Sequence, residues 1–179
     1  MMRIKIEKLC KEHKKRLFDF ERENRSYFET MVPGRGDKYY TEDGFQSTLG
    51  ELLKEQAEEK SYFHLIFDSD ENLVGRINLI DVNKEGTQCE LGYRIGKGYI
   101  GKKVATNAVK EILIKAARSY GIESVQAKTT TNNIASQKVL ENNGFNLLKV
   151  EGEKFEFLGE ACSFVHYEWR SQTQSKDTF

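Results

Sequence analysis

The sequence predicts a mixed α/β protein of the α+β class, with helices packed on a sheet that is mostly antiparallel. Apolar and polar residues alternate in several short segments, which indicates strands. Longer segments repeat apolar residues every three to four positions, which indicates amphipathic helices. Residues 87–130 contain a strand, a helix and a strand with the spacing of a βαβ-like unit.

Composition limits the possible classes of protein. The 179 residues suit one domain, which we assign to 1–170, and the polar tail 171–179 is expected to be disordered. Lys plus Arg and Asp plus Glu each total 28, so no global basic field for nucleic acid exists. The three distant cysteines lack zinc-ligand spacing, which predicts reduced thiols and no metal site. No segment resembles a signal peptide or membrane span, so we expect a cytoplasmic protein without a membrane partner.

The N-terminal third predicts a strand followed by two helical segments. Residues 3–9 alternate as a short strand, and a charged helical segment follows to about Asn24. Residues 32–40 hold the only proline and read as a loop. Thr41 can then cap a helix whose apolar side carries Phe45, Leu49, Leu52, Leu53 and Ala57.

Three strands are predicted next, at 61–68, 73–82 and 87–96, and a meander is the simplest way to connect them. The third strand has two distinct faces. One face carries Cys89, Leu91, Tyr93 and Ile95. The other carries Glu90, Gly92 and Arg94.

The C-terminal half alternates helices and strands. A helix over about 102–120 has a broad apolar surface that should pack on a sheet, and Gly121 ends it. Residues 122–130 form the next strand. Asn132 or Asn133 caps a second helix that stops at Gly144. Finally, we predict one hairpin of strands 145–158 and 161–170 around Leu158-Gly159-Glu160.

The segment GKGYIGKKVAT (96–106) lies between a strand and a helix start. Free backbone N–H groups, the helix dipole and three lysines favour an anion there, which suggests a phosphate cradle. A solvated glycine-rich turn would have the same composition. The segment lacks the spacing of a Walker loop and the acidic partner of a dinucleotide-binding loop.

A second polar cluster lies in TTTNNIASQKVLENNGF (129–145). Asn133 and Ser136 are three residues apart on the predicted helix, so both side chains emerge on one side. The plainer interpretation makes Asn132 or Asn133 a helix cap and Ser136 a small surface residue.

Together the two clusters resemble the GCN5-related N-acetyltransferase (GNAT) superfamily, and within it the RimJ/RimL-type ribosomal-protein-alanine N-acetyltransferases. The matching residues are Glu90-Leu91-Gly92-Tyr93, Gly101 to Thr106, Asn133, Ser136, Val139, Leu140, Gly144 and Phe145. The resemblance implies a mostly antiparallel sheet of six to seven strands, flanked by about four helices, with splayed central strands. It also implies an acyltransferase that uses acetyl-CoA as co-substrate and no metal.

The same resemblance implies where acetyl-CoA binds. Backbone groups of Tyr93, Arg94 and Ile95 would hold pantetheine in a V-shaped gap beside their strand. Asn133 would contact the pantetheine arm, and Ser136 would lie near the sulfur. The pyrophosphate would bind backbone amides of Gly101, Lys102, Lys103, Val104, Ala105 and Thr106.

The loop departs from the family pattern at two positions. Ile100 replaces the usual glutamine or arginine, and Lys103 replaces a glycine. If Lys103 needs a positive φ, this position costs about 1 kcal/mol more than glycine would. Its ammonium group could compensate by pairing with phosphate.

Acetyl transfer to an amine needs a proton acceptor, a polarised carbonyl and a proton donor for the thiolate. Glu90 is the candidate base, directly or through water, and a backbone N–H near Tyr93 is the candidate for polarising the carbonyl. The plainer interpretation pairs Glu90 with Arg94 or a lysine on the surface. Ser136 is the candidate acid, or otherwise only a cofactor contact. Direct attack by the amine is expected, because the cysteines carry no sequence cue for activation.

The acceptor is less determined than the cofactor. RimJ/RimL-like proteins imply a protein N-terminal α-amine, and a polyamine or other small amine is the alternative. A non-catalytic acyl-CoA-binding module and a phosphate-loop nucleotide binder are further alternatives, and the protein is expected to be a monomer or homodimer. The acceptor cleft could be lined by Arg35, Tyr39 and Tyr40. Acids that would permit a polyamine are Glu29, Asp37, Glu42 and Asp43.

Overall fold

The chain folds around a mixed seven-stranded sheet in a computed structural model that describes residues 2–172. Within that range the strands are β1 (Ile4–Lys8), β2 (Tyr62–Asp68), β3 (Leu73–Ile80), β4 (Gln88–Ile95), β5 (Ser124–Thr130), β6 (Asn146–Val150), β7 (Phe155–Phe157), β8 (Glu160–Cys162) and β9 (Phe164–Arg170). The helices are α1 (Lys14–Glu23), α2 (Arg25–Phe28), α3 (Glu42–Ala57), α4 (Val104–Ser119) and α5 (Ile134–Glu141). Short 3₁₀ turns cover Lys11–His13, Asp37–Tyr40 and Lys97–Tyr99.

The strand order in the sheet is β1-β2-β3-β4-β5-β9-β6. Strands β1 to β4 form an antiparallel meander, as predicted. Helix α4 then crosses over to β5, which pairs parallel with β4, so the predicted βαβ-like unit is confirmed. Strand β9 lies antiparallel between β5 and β6.

Helices cover both faces of the sheet and create two cores. On one face α4 and α5 bury side chains such as Val109, Ile112 and Leu140 against the central strands. On the other face α1, α2 and α3 pack aromatic residues, including Phe18 and Phe45, on β2. Each such fully buried side chain contributes about 1.5–3 kcal/mol relative to exposure. Among the described residues, no helix is both long and apolar enough to cross a membrane.

Helix boundaries follow the predicted caps. The Thr41 hydroxyl accepts a hydrogen bond from the Gly44 N–H at 3.1 Å and starts α3. Gly121 has φ +70° just beyond α4, and the Ile122 N–H donates to the Ala116 carbonyl at 3.0 Å. This left-handed glycine ends the helix and turns the chain into β5.

The predicted C-terminal hairpin is wrong in its extent. Strand β6 ends at Val150 and pairs with β9. The turn at Leu158 and Gly159 instead closes a separate small hairpin of β7 and β8. The intervening residues 151–154 are mainly charged and include a glycine, so they leave the sheet rather than extend the strand.

Two smaller differences concern the helices and the tail. The charged helical segment predicted to about Asn24 is α1, and the short helix α2 follows it, which makes five helices among the described residues where the resemblance implies about four. The predicted loop 32–40 contains a 3₁₀ turn at its end. Of the tail 171–179, predicted to be disordered, residues 173–179 lie outside the described range.

Candidate functional site

The central feature of the site is a gap between β4 and β5. Their parallel pairing covers four residues, from Gln88 opposite Ser124 to Leu91 opposite Ala127. Beyond Leu91, β4 continues to Ile95 bonded to β3, and β5 continues to Thr130 bonded to β9. Because the two strands diverge, no strand in residues 2–172 pairs with the edge of β4 over 92–95 on the β5 side. An extended polar chain can add hydrogen bonds to such an edge.

The Tyr93 side chain connects this edge to helix α5. Its hydroxyl lies 2.9 Å from the Ser136 Oγ, so the two predicted site residues meet although they are 43 positions apart. Burial raises the pKa of Tyr93, while the hydrogen bond that it shares with the Ser136 hydroxyl opposes that rise. Tyr93 was predicted to contribute backbone groups alone, and its hydroxyl adds a second proton-bearing group beside Ser136.

Helix α5 is held at the end of β5 by its first residues. The Asn133 side-chain oxygen accepts the Ser136 N–H at 3.0 Å, so Asn133 is the N-cap. The Gln137 amide donates to the Thr130 carbonyl at 2.9 Å and also to the next carbonyl of that loop. These bonds fix Ser136 at the mouth of the gap. The cap uses the carbonyl oxygen of Asn133, so a contact with pantetheine would fall to its amide group.

The loop after β4 forms a cradle of backbone N–H groups. Gly101 has φ +75°, and Lys103, the N-cap of α4, is left-handed at φ +62° and ψ +15°. The first intrahelical bond runs from the Asn107 N–H to the Lys103 carbonyl at 3.0 Å. The N–H groups of Val104, Ala105 and Thr106 therefore precede that bond and have no acceptor within the helix. With the positive end of the helix dipole and exposed lysines, these groups fit a pyrophosphate.

Asn24 anchors the start of this loop. Its side-chain oxygen accepts the Lys97 N–H at 2.9 Å, and its amide donates to the Phe20 carbonyl at 2.9 Å. Gly96 lies so close that an added Cβ would be 3.1 Å from the Phe20 ring and 3.4 Å from Asn24 Oδ1. The end of α1 thus sets the position of the cradle. No sequence motif indicated this role for Asn24.

Glu90 lies on β4 one residue before the pairing with β5 ends. Its side chain is exposed and occupies the face opposite Cys89 and Leu91, which pack toward α4. Arg94, on the same face as Glu90, instead approaches Glu21, with Nη1 and Oε2 3.8 Å apart. The surface pairing of Glu90 with Arg94 is therefore not formed in the described residues.

Three arginines act on the carboxylate of Glu21 on the Glu90 face of the sheet: Arg76 and Arg94 lie 2.6 and 3.8 Å from it, and Arg35, over the Tyr39 ring, acts through its charge. Arg76 Nη1 donates to Glu21 Oε1 at 2.6 Å, and both side chains are almost fully buried. Burial opposes ionisation of Glu21, but Arg76, Arg35 and Arg94 outweigh it and lower its pKa. Burial and the neighbouring Arg35 and Arg76 lower the pKa of Arg94. We call Glu21, Arg35, Arg76 and Arg94 the arginine cluster.

The cysteines offer no activated thiol. Burial raises the pKa of Cys89 to about 12, with a further contribution from the charge of Glu90, so it is a thiol at neutral pH. Cys10 lies beyond β1 at the far edge of the sheet, with Sγ 3.3 Å from His13 Nδ1, and burial raises its pKa as well. Cys162 is buried. Among residues 2–172, no group of three or more His, Cys, Asp or Glu side chains is placed to hold a metal ion.

Comparison with known proteins agrees with this geometry. Residues 3–146 match the family model described as an acetyltransferase (GNAT) domain. The chain is 30% identical over 126 residues to the probable N-acetyltransferase YjcK of Bacillus subtilis (strain 168), covering 69% of this chain and 70% of that protein. It is 27% identical over 132 residues to the [ribosomal protein uS5]-alanine N-acetyltransferase of Escherichia coli (strain K12), covering 73% and 68%.

The fold is also found in solved structures. The crystal structure of ribosomal-protein-S5-alanine acetyltransferase from Vibrio fischeri superposes with a TM-score of 0.85 at 16% identity, covering 95% of this chain and 94% of that one. The family match covers most of the chain and includes both β4 and the cradle. The chain therefore belongs to the GNAT family of acetyltransferases, which transfer acetyl groups from acetyl-CoA to amines.

Proposed function

We propose that this protein transfers the acetyl group of acetyl-CoA to a protein N-terminal α-amine, as ribosomal-protein acetyltransferases do. The observation that carries the use of acetyl-CoA is the gap between β4 and β5, which opens beside the N–H cradle of α4, and the acceptor is proposed from the similarity to ribosomal-protein-alanine acetyltransferases. The gap suits an extended amide-containing chain, and the cradle suits a pyrophosphate.

In this proposal, backbone groups would make most of the contacts with acetyl-CoA. The edge of β4 at Tyr93, Arg94 and Ile95 would bind pantetheine, and the amides of 101–106 would bind the pyrophosphate. Lys102 and Lys103 are exposed at the cradle and would add charge. Asn133 would contact the pantetheine arm through its amide, because its oxygen is used by the cap.

Four groups would carry the proton transfers and polarise the carbonyl. Glu90, exposed at the start of the gap, would accept the proton of the attacking amine, directly or through water. A backbone N–H near Tyr93 would polarise the thioester carbonyl. Ser136 would protonate the departing thiolate, and the Tyr93 hydroxyl at 2.9 Å could replenish that proton. The amine attacks directly in this scheme, because the buried Cys89 is not a nucleophile.

The charges near the acceptor side favour a peptide over a polyamine. Three of the four acids that could have bound a polyamine have a cation of the protein within 4 Å, and two of them share Arg25. Arg25 binds Glu29 at 3.0 Å and Asp37 at 2.6 Å, and Lys14 lies 3.5 Å from Glu42. The arginine cluster adds an excess of positive charge on the same face. A cationic polyamine would be repelled by that excess.

Purified protein with acetyl-CoA tests the proposal against a panel of Ala- and Ser-initiated peptides, spermidine and other small amines. We expect coenzyme A thiol to be released only when a peptide is present. The peptide N-terminus should gain about 42 Da, the mass that acetylation adds. Stabilisation by coenzyme A without thiol release from any amine would support a non-catalytic binding module instead. We place the activity in the cytoplasm, where free cysteines stay reduced. All proposed site residues lie in one chain, so the scheme suits a monomer or a homodimer.

A further inference from the structure

The arginine cluster has more positive charge than the protein neutralises. Glu21 is the carboxylate at its centre, and one of its oxygens is bound by Arg76. Its second oxygen has no hydrogen-bond partner in the described residues and stands 3.8 Å from Arg94. Three guanidinium groups thus act on one carboxylate. The neighbouring Arg25, Glu29 and Asp37 add one positive and two negative charges, so four arginines face three carboxylates and the group as a whole keeps an excess of one positive charge.

Two of these arginines have hydrogen-bond donors to spare. Within residues 2–172, neither Arg94 nor Arg35 donates a side-chain hydrogen bond; their close contacts are with aromatic faces. The Arg94 Cζ lies 5.3 Å from the Phe28 ring centroid, and the Arg35 Cζ lies 4.6 Å from that of Tyr39. A guanidinium has five N–H donors in a fixed plane and pairs with a carboxylate through two of them. Stacking orients the planes while leaving the donor edges available.

Arg94 differs from Arg76 in access to solvent. The Arg76 side chain is 6% exposed and forms an ion pair with the buried Glu21, whereas the Arg94 side chain is 21% exposed. Arg35 is half-buried in the loop before the Asp37–Tyr40 turn. Arg76 therefore holds Glu21 in place, and Arg94 with Arg35 forms the part of the cluster that a ligand can reach.

The spacing relates this surface to the acetylated amine. Glu90 and Arg94 lie on the same face of β4, four residues apart, so their Cα atoms are about 13 Å apart at roughly 3.3 Å per residue. Gly92 lies midway, about 7 Å from Arg94 by the same rise. An extended acceptor that runs along β4 with its amine beside Glu90 would place its second and third residues roughly 10 and 7 Å from the Arg94 Cα, a gap that an acidic side chain of the acceptor and the Arg94 side chain can span together.

We propose that Arg94 and Arg35 select acceptors that carry a carboxylate close to the reacting amine, specifically peptides with Asp or Glu at the second or third position. This inference rests on the proposed peptide acceptor. Arg94 and Arg35 act here as specificity-determining residues through their side chains. This role is separate from the backbone contact of Arg94 with pantetheine.

Matched peptides test it directly. Hexapeptides that begin Ala-Glu-Glu, Ala-Gln-Gln and Ala-Lys-Lys differ in charge at positions two and three and little in size. We expect kcat/KM for the acidic peptide to exceed that for the amide peptide by about 10-fold or more, as one charge-assisted hydrogen-bonded pair implies. The difference should lie mainly in KM and should shrink with added salt.

Substitutions of Arg94 and Arg35 test whether these residues cause the preference for acidic peptides. Arg94→Gln and Arg35→Gln should each reduce the ratio of acidic to amide peptide, and Arg94→Lys should retain part of it. Arg118→Gln, an exposed arginine on α4, is the matched control and should leave the ratio unchanged. A wild-type ratio near one, or a ratio that persists in both Arg94→Gln and Arg35→Gln, would overturn the inference.

Small amines distinguish an error in the proposed peptide acceptor from an error in the proposed carboxylate preference. If small amines are acetylated and peptides are not, the N-terminal acceptor is wrong, and 4-aminobutyrate against butylamine becomes the matched pair. A preference for 4-aminobutyrate that Arg94→Gln removes would still support the carboxylate site. Equal rates for the two, or faster reaction of butylamine, would reject it.

Discussion

Replacing Lys103 by glycine should stabilise the protein, although it removes a residue from the cofactor cradle. Lys103 is held at φ +62° as the N-cap of α4, and its side chain caps nothing. A non-glycine residue in this conformation costs roughly 1–2 kcal/mol. Glycine removes that strain but gains about 0.4–1 kcal/mol of unfolded-state entropy. The free energy of unfolding of Lys103→Gly should therefore rise by about 0.5–1 kcal/mol.

Chemical denaturation at low ligand concentration measures this change, and a thermal scan should show an increase of about 1–4 °C for a domain of this size. Lys102→Gly is the matched control. It removes the same charge at the neighbouring position, and Lys102 is not among the described residues with positive φ. Lys102→Gly should therefore lower the stability, by about 0.4–1 kcal/mol.

Coenzyme A affinity in the two variants distinguishes the effect of the lost lysine charge from the effect of the backbone conformation at position 103. Both variants lose one cation next to the proposed pyrophosphate site, so both should bind coenzyme A a few-fold more weakly at low salt and nearly normally at high salt. A stability of Lys103→Gly equal to or below that of Lys102→Gly would refute the strain argument. Unchanged affinity in both would show that the lysines contribute little to the cradle.

Three further predictions concern the reaction and the core. Glu90→Gln should lower kcat by about 10²–10⁴-fold, the usual contribution of a general base, with coenzyme A affinity in titration calorimetry nearly unchanged; full activity would remove Glu90 as the base. Tyr93→Phe and Ser136→Ala should be non-additive in kcat, since their hydroxyls are 2.9 Å apart, and additive losses in the double variant would separate their roles. Burial holds the pKa of His64 at about 4, below the 6.5 of the unfolded chain, so its stability contribution is complete above pH 6.5 and is lost as the pH falls toward 4. That loss amounts to about 3 kcal/mol, and His64→Gln should flatten the pH dependence of unfolding in this window, whereas an unchanged slope would assign it to other groups.

The fold could be predicted largely from local patterns. A compact apolar run located β2, and alternation located β3 and β4. Caps at Thr41 and Gly121 located helix ends, because all these signals arise between near neighbours in the chain. The extent of the C-terminal hairpin was predicted wrongly because strand pairing depends on residues that are distant in the chain. The sequence predicts the turn at Leu158 and the pairing of the 145 segment with the last strand, and both are present, but local patterns do not show that residues 151–154 leave the sheet and that the turn joins β7 to β8.

The site could be predicted only where a motif carries it. The loop and the Asn133 segment have a recognisable spacing, so the sequence alone makes their residues candidates. The arginine cluster has no such spacing, since Arg76 and Glu21 are 55 positions apart and meet only through the packing of α1 on β3. Asn24 was missed likewise, because its bond to Lys97 spans 73 positions.

Amide hydrogen exchange with and without coenzyme A tests the central claim most directly. The claim is that the unpaired edge of β4 and the start of α4 together bind the cofactor. We expect coenzyme A to slow exchange at 92–95 and at 101–106, with little change in β1 or β2. Protection elsewhere, with both of these segments unchanged, would contradict it.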